Sequence, residues 1–177
     1  MKSLPELSQD LQSNKTTARE MLELCFEKIS DPAGEGARAF LSVSHDKARA
    51  QADAMDSLRK SGSEPSAYAG IPISVKDLYD VKGEVTGAGS KILSTSAPAG
   101  QDAPTIARLR HAGFVFVGRN NMVEFAYAGI GMNSHFGTPK IPYDRANGRI
   151  PGGSTSGGAV AVADGMAAAT LGSDTGG

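Results

Sequence analysis

The sequence predicts an α/β protein with a mixed, mostly parallel central sheet that is covered by helices and preceded by a helical segment. Helical periodicity dominates the first 60 residues. Beyond them, short apolar runs rich in β-branched residues alternate with helical patterns. Strands that alternate with helices are typical of parallel sheets, so we expect these runs to form one sheet.

The helical segment extends to about residue 66, and its clearest helix begins after Thr17. Glu20 stands three residues further on, so the two residues form a capping box at the helix start. Asp31-Pro32 ends this helix. A short apolar run, Phe40–Val43, precedes a second helical pattern from about Asp46 to Lys60. The apolar stripe of the first helix comprises Met21, Leu22, Cys25, Phe26 and Ile29.

The α/β core begins at about residue 67 and consists of three strands and two helices. The predicted strands are Ile71–Val75, which ends at Lys76, then Phe114–Val117 and Ala167–Leu171. The predicted helices are Pro104–Ala112, with Asp102 near its start and Gly113 as its stop, and Ala159–Ala163, which follows a loop over Gly152–Gly158.

The composition argues against several classes of partner. A net charge of −1 gives no electrostatic reason to expect direct binding to nucleic acid or to an anionic membrane. No apolar run approaches the roughly 20 residues that span a bilayer, and the N-terminus lacks a signal-peptide core. The single cysteine, Cys25, cannot form an internal disulfide, and its apolar setting predicts a buried small hydrophobe. We therefore expect a cytoplasmic protein. Its oligomeric state is left open, with a homodimer as one option.

Lys76 is the first candidate for chemistry because it ends an apolar strand. Carboxyl ends of strands in open α/β sheets face ligand crevices, where partial desolvation lowers the pKa of a lysine enough for it to act as a base. A solvated lysine at a strand end is the competing interpretation, and spacing alone favours it.

The glycine-rich cluster Gly152–Gly158 is the second candidate. It lacks the Gly-Lys-Ser/Thr of a phosphate-binding loop, the G-x-G-x-x-G of a dinucleotide site and the G-x-S-x-G of an α/β-hydrolase. A structural turn remains the alternative to a functional loop.

The three histidines supply no metal site and no obvious base. His45 and His111 lie at the ends of helical patterns, and His135 lies in a loop. None has a cysteine or carboxylate at metal-ligand spacing, so zinc is not expected. We expect no other cofactor either. A hydrolase would then depend on Lys76.

These segments together resemble the amidase signature family of serine hydrolases, over nearly the whole chain. Gly152–Gly157 is similar to the family's glycine-serine core, and Gly172–Gly177 to the motif that directly precedes its nucleophile. Further similarity in order and spacing covers Gly70–Asp77, Gly118–Phe125 and Asn133–Gly137. The resemblance implies that residues 1–177 are the N-terminal part of one domain whose remainder is absent from this chain.

The resemblance also implies a Ser–cisSer–Lys triad that hydrolyses an amide C–N bond through an acyl-enzyme. Lys76 would be the base, Ser154 the bridging serine after a cis peptide bond, and a serine directly after Gly177 the nucleophile. The oxyanion hole would use the backbone N–H groups of Thr175, Gly176 and Gly177. Gly153, Thr155, Ser156 and Asp174 would support the site, with Asp174 accepting local hydrogen bonds in the turn.

Two departures from the family pattern and two other functions remain open. Thr155 replaces the more usual serine, and Thr138–Pro142 replaces the usual asparagine-containing loop. The partner of an amidase is a small-molecule amide. The alternatives are the amidase subunit of a glutamine-dependent aminoacyl-tRNA amidotransferase and a non-catalytic small-molecule binding domain.

The chain ends one residue before the expected nucleophile, so the 177-residue chain alone is predicted to be inactive. A chemically altered serine at the next position is the favoured explanation. The others are a cleaved fragment and a short binding protein, the last disfavoured because a core cut here would be exposed.

Overall fold

A computed structural model describes residues 2–176. The chain forms six α-helices, four strands and two short 3₁₀ helices in these residues. The helices are α1 (Leu4–Gln12), α2 (Ala18–Ser30), α3 (Gly36–Ala39), α4 (His45–Lys60), α5 (Pro104–His111) and α6 (Ser156–Ala163), with 3₁₀ turns at Glu124–Ala126 and Pro142–Asn147. The strands are β1 (Phe40–Val43), β2 (Pro72–Lys76), β3 (Val115–Asn120) and β4 (Ala169–Leu171).

The four strands form one mixed sheet in the order β1-β3-β2-β4. Strand β2 pairs in parallel with both β3 and β4, whereas β1 pairs antiparallel with β3. This confirms the predicted mostly parallel sheet. The apolar run Phe40–Val43, to which the sequence assigned no element, supplies the antiparallel strand. The helical lead-in therefore also contributes to the sheet.

Apolar side chains cover both faces of the sheet, which explains why β2 and β3 are buried at every position. One cluster packs α2, α4 and α6 against Val115 and Val117. The other surrounds Ile71, Ile73 and Val75. Strand β2 therefore lies at the centre of the molecule, and its last residue ends inside the protein.

The capping box predicted for α2 is confirmed. The Thr17 hydroxyl accepts from the Glu20 amide at 3.1 Å, and the Thr17 amide donates to the Glu20 carboxylate at 2.9 Å. Ser3 and Glu6 cap α1 in the same way, although the sequence analysis set no bounds for that helix. Cys25 is buried, and its burial raises the pKa of the thiol to about 12, as expected for a small hydrophobe.

Three predicted boundaries need correction. Strand β3 begins later than predicted and continues to Asn120, and β4 is limited to Ala169–Leu171. Helix α6 begins at Ser156 and so includes Gly157 and Gly158, which the sequence placed in a loop. Asp102 does not cap α5, because its carboxylate accepts from the Lys82 amide at 2.7 Å and from Arg110.

Candidate active site

Lys76 is the buried centre of the candidate site. It ends β2 and is fully buried. The alternative interpretation of a solvated lysine at a strand end is therefore wrong. Its Nζ atom lies 2.6 Å from Ser154 Oγ, 2.8 Å from Ser173 Oγ and 3.4 Å from the Ser173 carbonyl oxygen. Burial lowers the pKa of Lys76, because desolvation disfavours the ammonium form, while the charge of Asp174 opposes that shift.

Ser154 lies in the loop that leads into α6, and the peptide bond from Gly153 to Ser154 is cis. Two backbone hydrogen bonds hold this segment. The Val123 amide donates to the Ser154 carbonyl at 3.0 Å, and the Gly153 amide donates to the Gly129 carbonyl at 2.8 Å. The end of β3 and the loop after it therefore position the serine opposite Lys76.

Glycines allow the backbones of this loop and of its neighbour to approach closely. A Cβ atom at Gly131 would lie 2.1 Å from the Gly152 carbonyl oxygen, and one at Gly153 would lie 2.8 Å from the Gly131 Cα. No other residue type fits these two positions without moving a backbone, so this glycine pattern is required by packing.

The turn at residues 172–176 closes over the lysine. Tyr79 Oη donates to the Gly172 carbonyl at 2.6 Å, and Thr155 Oγ1 lies 3.4 Å from both the amide nitrogen and the carbonyl oxygen of Ser173. The Gly176 amide donates to Asp174 Oδ1 at 3.3 Å. Thr155 thereby links the serine loop to this turn.

Thr175 and Gly176 are exposed, and their backbone faces an open cleft. Gly177, the third residue predicted for the oxyanion hole, lies outside the described residues. The cleft has a volume of about 370 Å³. It is lined by Ala126, Tyr127, Ala128, Gly129, Gly153, Ser154, Asp174, Thr175 and Gly176. A substrate carbonyl could therefore reach Ser154 and this turn from the same opening.

The chain has an unusual backbone where it enters one wall of the cleft at Ala126. Phe125 and Ala126 both have φ of +55°, a left-handed conformation that side chains other than glycine rarely adopt. Such conformations cost on the order of 1–3 kcal/mol each and persist where the surrounding structure enforces them. Here the Phe125 amide donates to the Ala88 carbonyl at 2.9 Å, and the Val123 carbonyl accepts from the Ala126 amide at 2.9 Å.

Ser156, predicted to support the site, lies in the first turn of α6. It is fully buried, and within residues 2–176 its hydroxyl has no hydrogen-bond partner. The structure thus brings Lys76, Ser154 and Thr155 into contact with one another or with the 172–176 turn. Ser156 lies buried in α6 and takes part in none of these hydrogen bonds.

Sequence reasoning missed several residues that contact this site. Ser173 bonds to Lys76, and Tyr79 holds the neighbouring carbonyl. Below them, Asp77 accepts from the Gly89 amide at 3.1 Å and forms a buried ion pair with Arg119 at 3.3 Å. Ser173, Asp77 and Arg119 lie within the matched motifs, which was a usable signal, whereas nothing local marks Tyr79.

The loop that carries His135 is organised by a buried asparagine. Asn133 Nδ2 donates to the carbonyls of Gly89 and Met122, each at 2.8 Å, and its Oδ1 accepts from the His135 amide at 2.9 Å. His135 Nε2 lies 3.3 Å from the Glu124 carboxylate. The histidine is not among the described residues that line the cleft beside Ser154.

Two further observations concern residues 2–176. No group of three or more histidine, cysteine, aspartate or glutamate side chains in this range is arranged to hold a metal ion. No helix in the same range is long and apolar enough to cross a membrane.

The fold and the paired side chains define an α/β protein with a buried serine–lysine site. The model of the Amidase family matches residues 20–177. The chain therefore belongs to the amidase signature family, as its motifs indicated.

Relatives and a solved structure agree with this assignment. The chain is 41% identical over 172 residues to the AtzE polypeptide of 1-carboxybiuret hydrolase from Pseudomonas sp. (strain ADP), covering 97% of the chain and 37% of that protein. It is 40% identical over 176 residues to one subunit of Glutamyl-tRNA(Gln) amidotransferase from Chromohalobacter salexigens, covering 99% and 35%. Peptide amidase from Stenotrophomonas maltophilia superposes with a TM-score of 0.80 at 30% identity, covering 93% and 34%. The chain thus spans little more than a third of the length of these proteins.

Proposed function

We propose that this chain is the N-terminal part of an amidase that hydrolyses a carboxylic amide to an acid and an amine or ammonia. The observation that carries the proposal is the 2.6 Å contact between the buried Lys76 Nζ and Ser154 Oγ. A lysine with a lowered pKa holds a larger neutral fraction, and neutral lysine can accept a proton.

In the proposed reaction, a serine that directly follows Gly177 attacks the substrate carbonyl. Its proton passes to Ser154 Oγ, and the Ser154 proton passes to Lys76 Nζ. The relay then runs in reverse, so that the leaving nitrogen departs protonated and an acyl-enzyme remains. A water molecule attacks the acyl-enzyme with the same relay, which releases the acid and restores the serine.

The backbone N–H groups of Thr175, Gly176 and Gly177 are proposed to stabilise the oxyanion. Support comes from the open cleft that both Ser154 and this turn line. One such donor typically lowers the barrier by about 3–4 kcal/mol. Thr155 and Asp174 are proposed to hold the turn through their bonds to Ser173 and Gly176.

The direct test uses the full-length protein that contains residues 1–177. We expect it to hydrolyse at least one member of a panel of aliphatic, aryl, urea-type and amino-acid amides, and to be labelled by a sulfonyl or phosphonyl probe at the serine after Gly177. The Lys76→Ala variant should lose both reactions while it keeps the far-UV circular dichroism of the wild type. Wild-type turnover in that variant would exclude the relay.

A second candidate function is supported by the 40% identity to the Glutamyl-tRNA(Gln) amidotransferase polypeptide. In that case the chain would act in a complex and pass ammonia to another polypeptide. Glutaminase activity that appears only with that second polypeptide favours this candidate. Amide hydrolysis by the isolated protein favours the first candidate. No hydrolysis and no labelling under any condition favours a non-catalytic binding domain.

The proposed assembly and location follow from the same reasoning. We propose a cytoplasmic enzyme whose partner is a small amide, with a homodimer as the assembly that a native mass measurement would test. The single buried Cys25 and the near-neutral charge support this proposal.

A further inference from the structure

A buried carboxylate lies outside the candidate site, in the turn before α3. Glu35 is 2% exposed, and its two oxygens accept from Arg38 Nε at 2.7 Å and Nη2 at 2.8 Å. The Lys140 amide also donates to Glu35 Oε2 at 3.1 Å. A carboxylate buried to this extent requires such partners, and these partners fix the Lys140 backbone relative to α3.

Arg145 extends this group of charges toward α6. Its Nη2 atom donates to Asp164 Oδ2 at 2.6 Å, and its Nε atom lies 3.9 Å from Glu35 Oε1. The Nε atom is buried and has no hydrogen-bond partner within residues 2–176. We call Glu35, Arg38, Arg145 and Asp164 the Glu35 cluster.

The Glu35 cluster joins the two segments that flank Ser154. Arg145 belongs to the loop that precedes Ser154, and the base of that loop is closed by the Ile141 amide, which donates to the Arg149 carbonyl at 3.0 Å. Asp164 is the C-cap residue of α6, the helix that follows Ser154. The Arg145–Asp164 pair therefore ties the chain before the serine to the chain after it.

The start of α6 is also connected to α3, through Asn121. The Asn121 amide donates to the Ala39 carbonyl at 2.9 Å, and Asn121 Nδ2 donates to the Arg38 carbonyl at 2.9 Å. The Gly157 amide in turn donates to the Asn121 carbonyl at 2.9 Å. We call the chain from Arg145 to Asp164, which contains Ser154, the serine segment. Its first part is connected to α3 by charged side chains, and the start of α6 is connected to α3 by hydrogen bonds through Asn121.

We propose that Glu35, Arg145 and Asp164 are positioning residues that hold the segment bearing Ser154 in contact with Lys76. This inference rests on the proposed amidase function. Proton transfer across the 2.6 Å contact depends steeply on distance, and a misplacement of about 1 Å far from the chemistry can cost on the order of 100-fold in rate.

The experiment compares Arg145→Met, Asp164→Asn and Glu35→Gln with the wild type in the full-length protein. Matched controls are Arg49→Met and Glu23→Gln, which break an ion pair of 2.8 Å between α2 and α4 that shares no residue with the Glu35 cluster. Two readouts are taken well below the unfolding temperature. The first is kcat and KM, each measured as a function of pH. The second is the rate of backbone amide hydrogen exchange.

We expect the Arg145→Met and Asp164→Asn variants to lose about 10- to 100-fold in kcat, with KM within about twofold. The acidic limb of their pH profile should also move, because the proton equilibrium of Lys76 depends on its contact with Ser154. In the exchange experiment, the amides of Gly153 and Val123 should exchange at least tenfold faster. The controls should change none of these quantities.

Hydrogen exchange separates failure of this inference from failure of the proposed function. Unchanged exchange at Gly153 and Val123 in Arg145→Met and Asp164→Asn would overturn the positioning role, whether or not the protein is active. A lower unfolding temperature with unchanged kcat and pH profile would also overturn it, because that is the result of a purely structural role. A wild type without hydrolysis or probe labelling refutes the amidase proposal instead, and faster exchange would still support the positioning role.

Discussion

The close approach of Gly131 to Gly152 gives the sharpest test of how the serine loop is held. The perturbation is Gly131→Ala. The added Cβ would lie 2.1 Å from the Gly152 carbonyl oxygen and 2.7 Å from its carbonyl carbon. Ordinary contacts between non-bonded heavy atoms lie near 3.5 Å, so the two backbones must separate by roughly 1.4 Å.

The expected cost has two parts. Gly131 has φ of +81°, and an alanine in this left-handed region costs about 1–2 kcal/mol. Overpacking against a backbone that cannot move freely adds about 1–3 kcal/mol. Together they predict a loss of about 2–5 kcal/mol in the free energy of unfolding. A displaced Gly152 should also lower kcat by on the order of 100-fold, because Ser154 follows closely in the chain.

The assay is urea unfolding followed by circular dichroism, with Gly165→Ala as the control. Gly165 has φ of +74°, but a Cβ there would meet no atom within 4 Å. The control therefore contains only the conformational cost of about 1–2 kcal/mol. If Gly131→Ala is no more destabilising than Gly165→Ala, the steric argument for the serine loop is refuted.

Four other groups of contacts can be tested by substitution. Lys76→Met should abolish amide hydrolysis and leave a cooperative unfolding transition, and residual turnover above one hundredth of wild type would contradict its proposed role as the base. Thr155→Val should lower kcat about fivefold, because it removes a hydroxyl worth about 1 kcal/mol that lies 3.4 Å from the Ser173 backbone, whereas Thr155→Ser should stay near wild type. Asn133→Ala should lower the free energy of unfolding in urea by about 2–4 kcal/mol, since it leaves two buried carbonyls unpaired; a loss below 1 kcal/mol would contradict this account. Burial raises the pKa of Glu35, but its hydrogen bonds lower that pKa more, so the net pKa lies below the ordinary value of 4.5. The ionised carboxylate therefore stabilises the fold at pH values above 4.5, and this contribution is lost as the pH falls further. The difference in urea midpoint between wild type and Glu35→Gln should therefore shrink below about pH 4.5, and a constant difference from about pH 3 to 7 would argue against the linkage.

The central strands and the best-capped helix could be predicted from the sequence because their signals are local. Thr17 and Glu20 form their capping box within one helical turn, and β2 is a short run of mainly apolar residues that includes the β-branched Ile73 and Val75. The pairing of Lys76 with Ser154 was expected only from the family motifs. Spacing alone favoured a solvated lysine, because burial of Lys76 depends on strands and loops far away in the chain.

The start of α6 shows where local reasoning fails. Glycine disfavours helix, so Gly157 and Gly158 were assigned to a loop. In the structure a Cβ at Gly157 would lie 2.2 Å from the Ala39 carbonyl oxygen, and one at Gly158 would lie 2.6 Å from Thr170 Oγ1. These glycines are helical because the helix packs directly on a neighbouring backbone and on β4. That requirement belongs to the tertiary structure.

The contacts of Lys76 also set an order for folding. Ser154 and Ser173 lie 78 and 97 residues further along the chain, and Ser173 follows directly after the segment that contains β4, the strand that pairs with β2. Contacts between residues so far apart form late, because a long loop must close first. During synthesis, the lysine therefore leaves the ribosome long before either hydroxyl is available. Until then, the growing chain must keep a charged strand end in water, and its burial becomes one of the last steps in the maturation of this region.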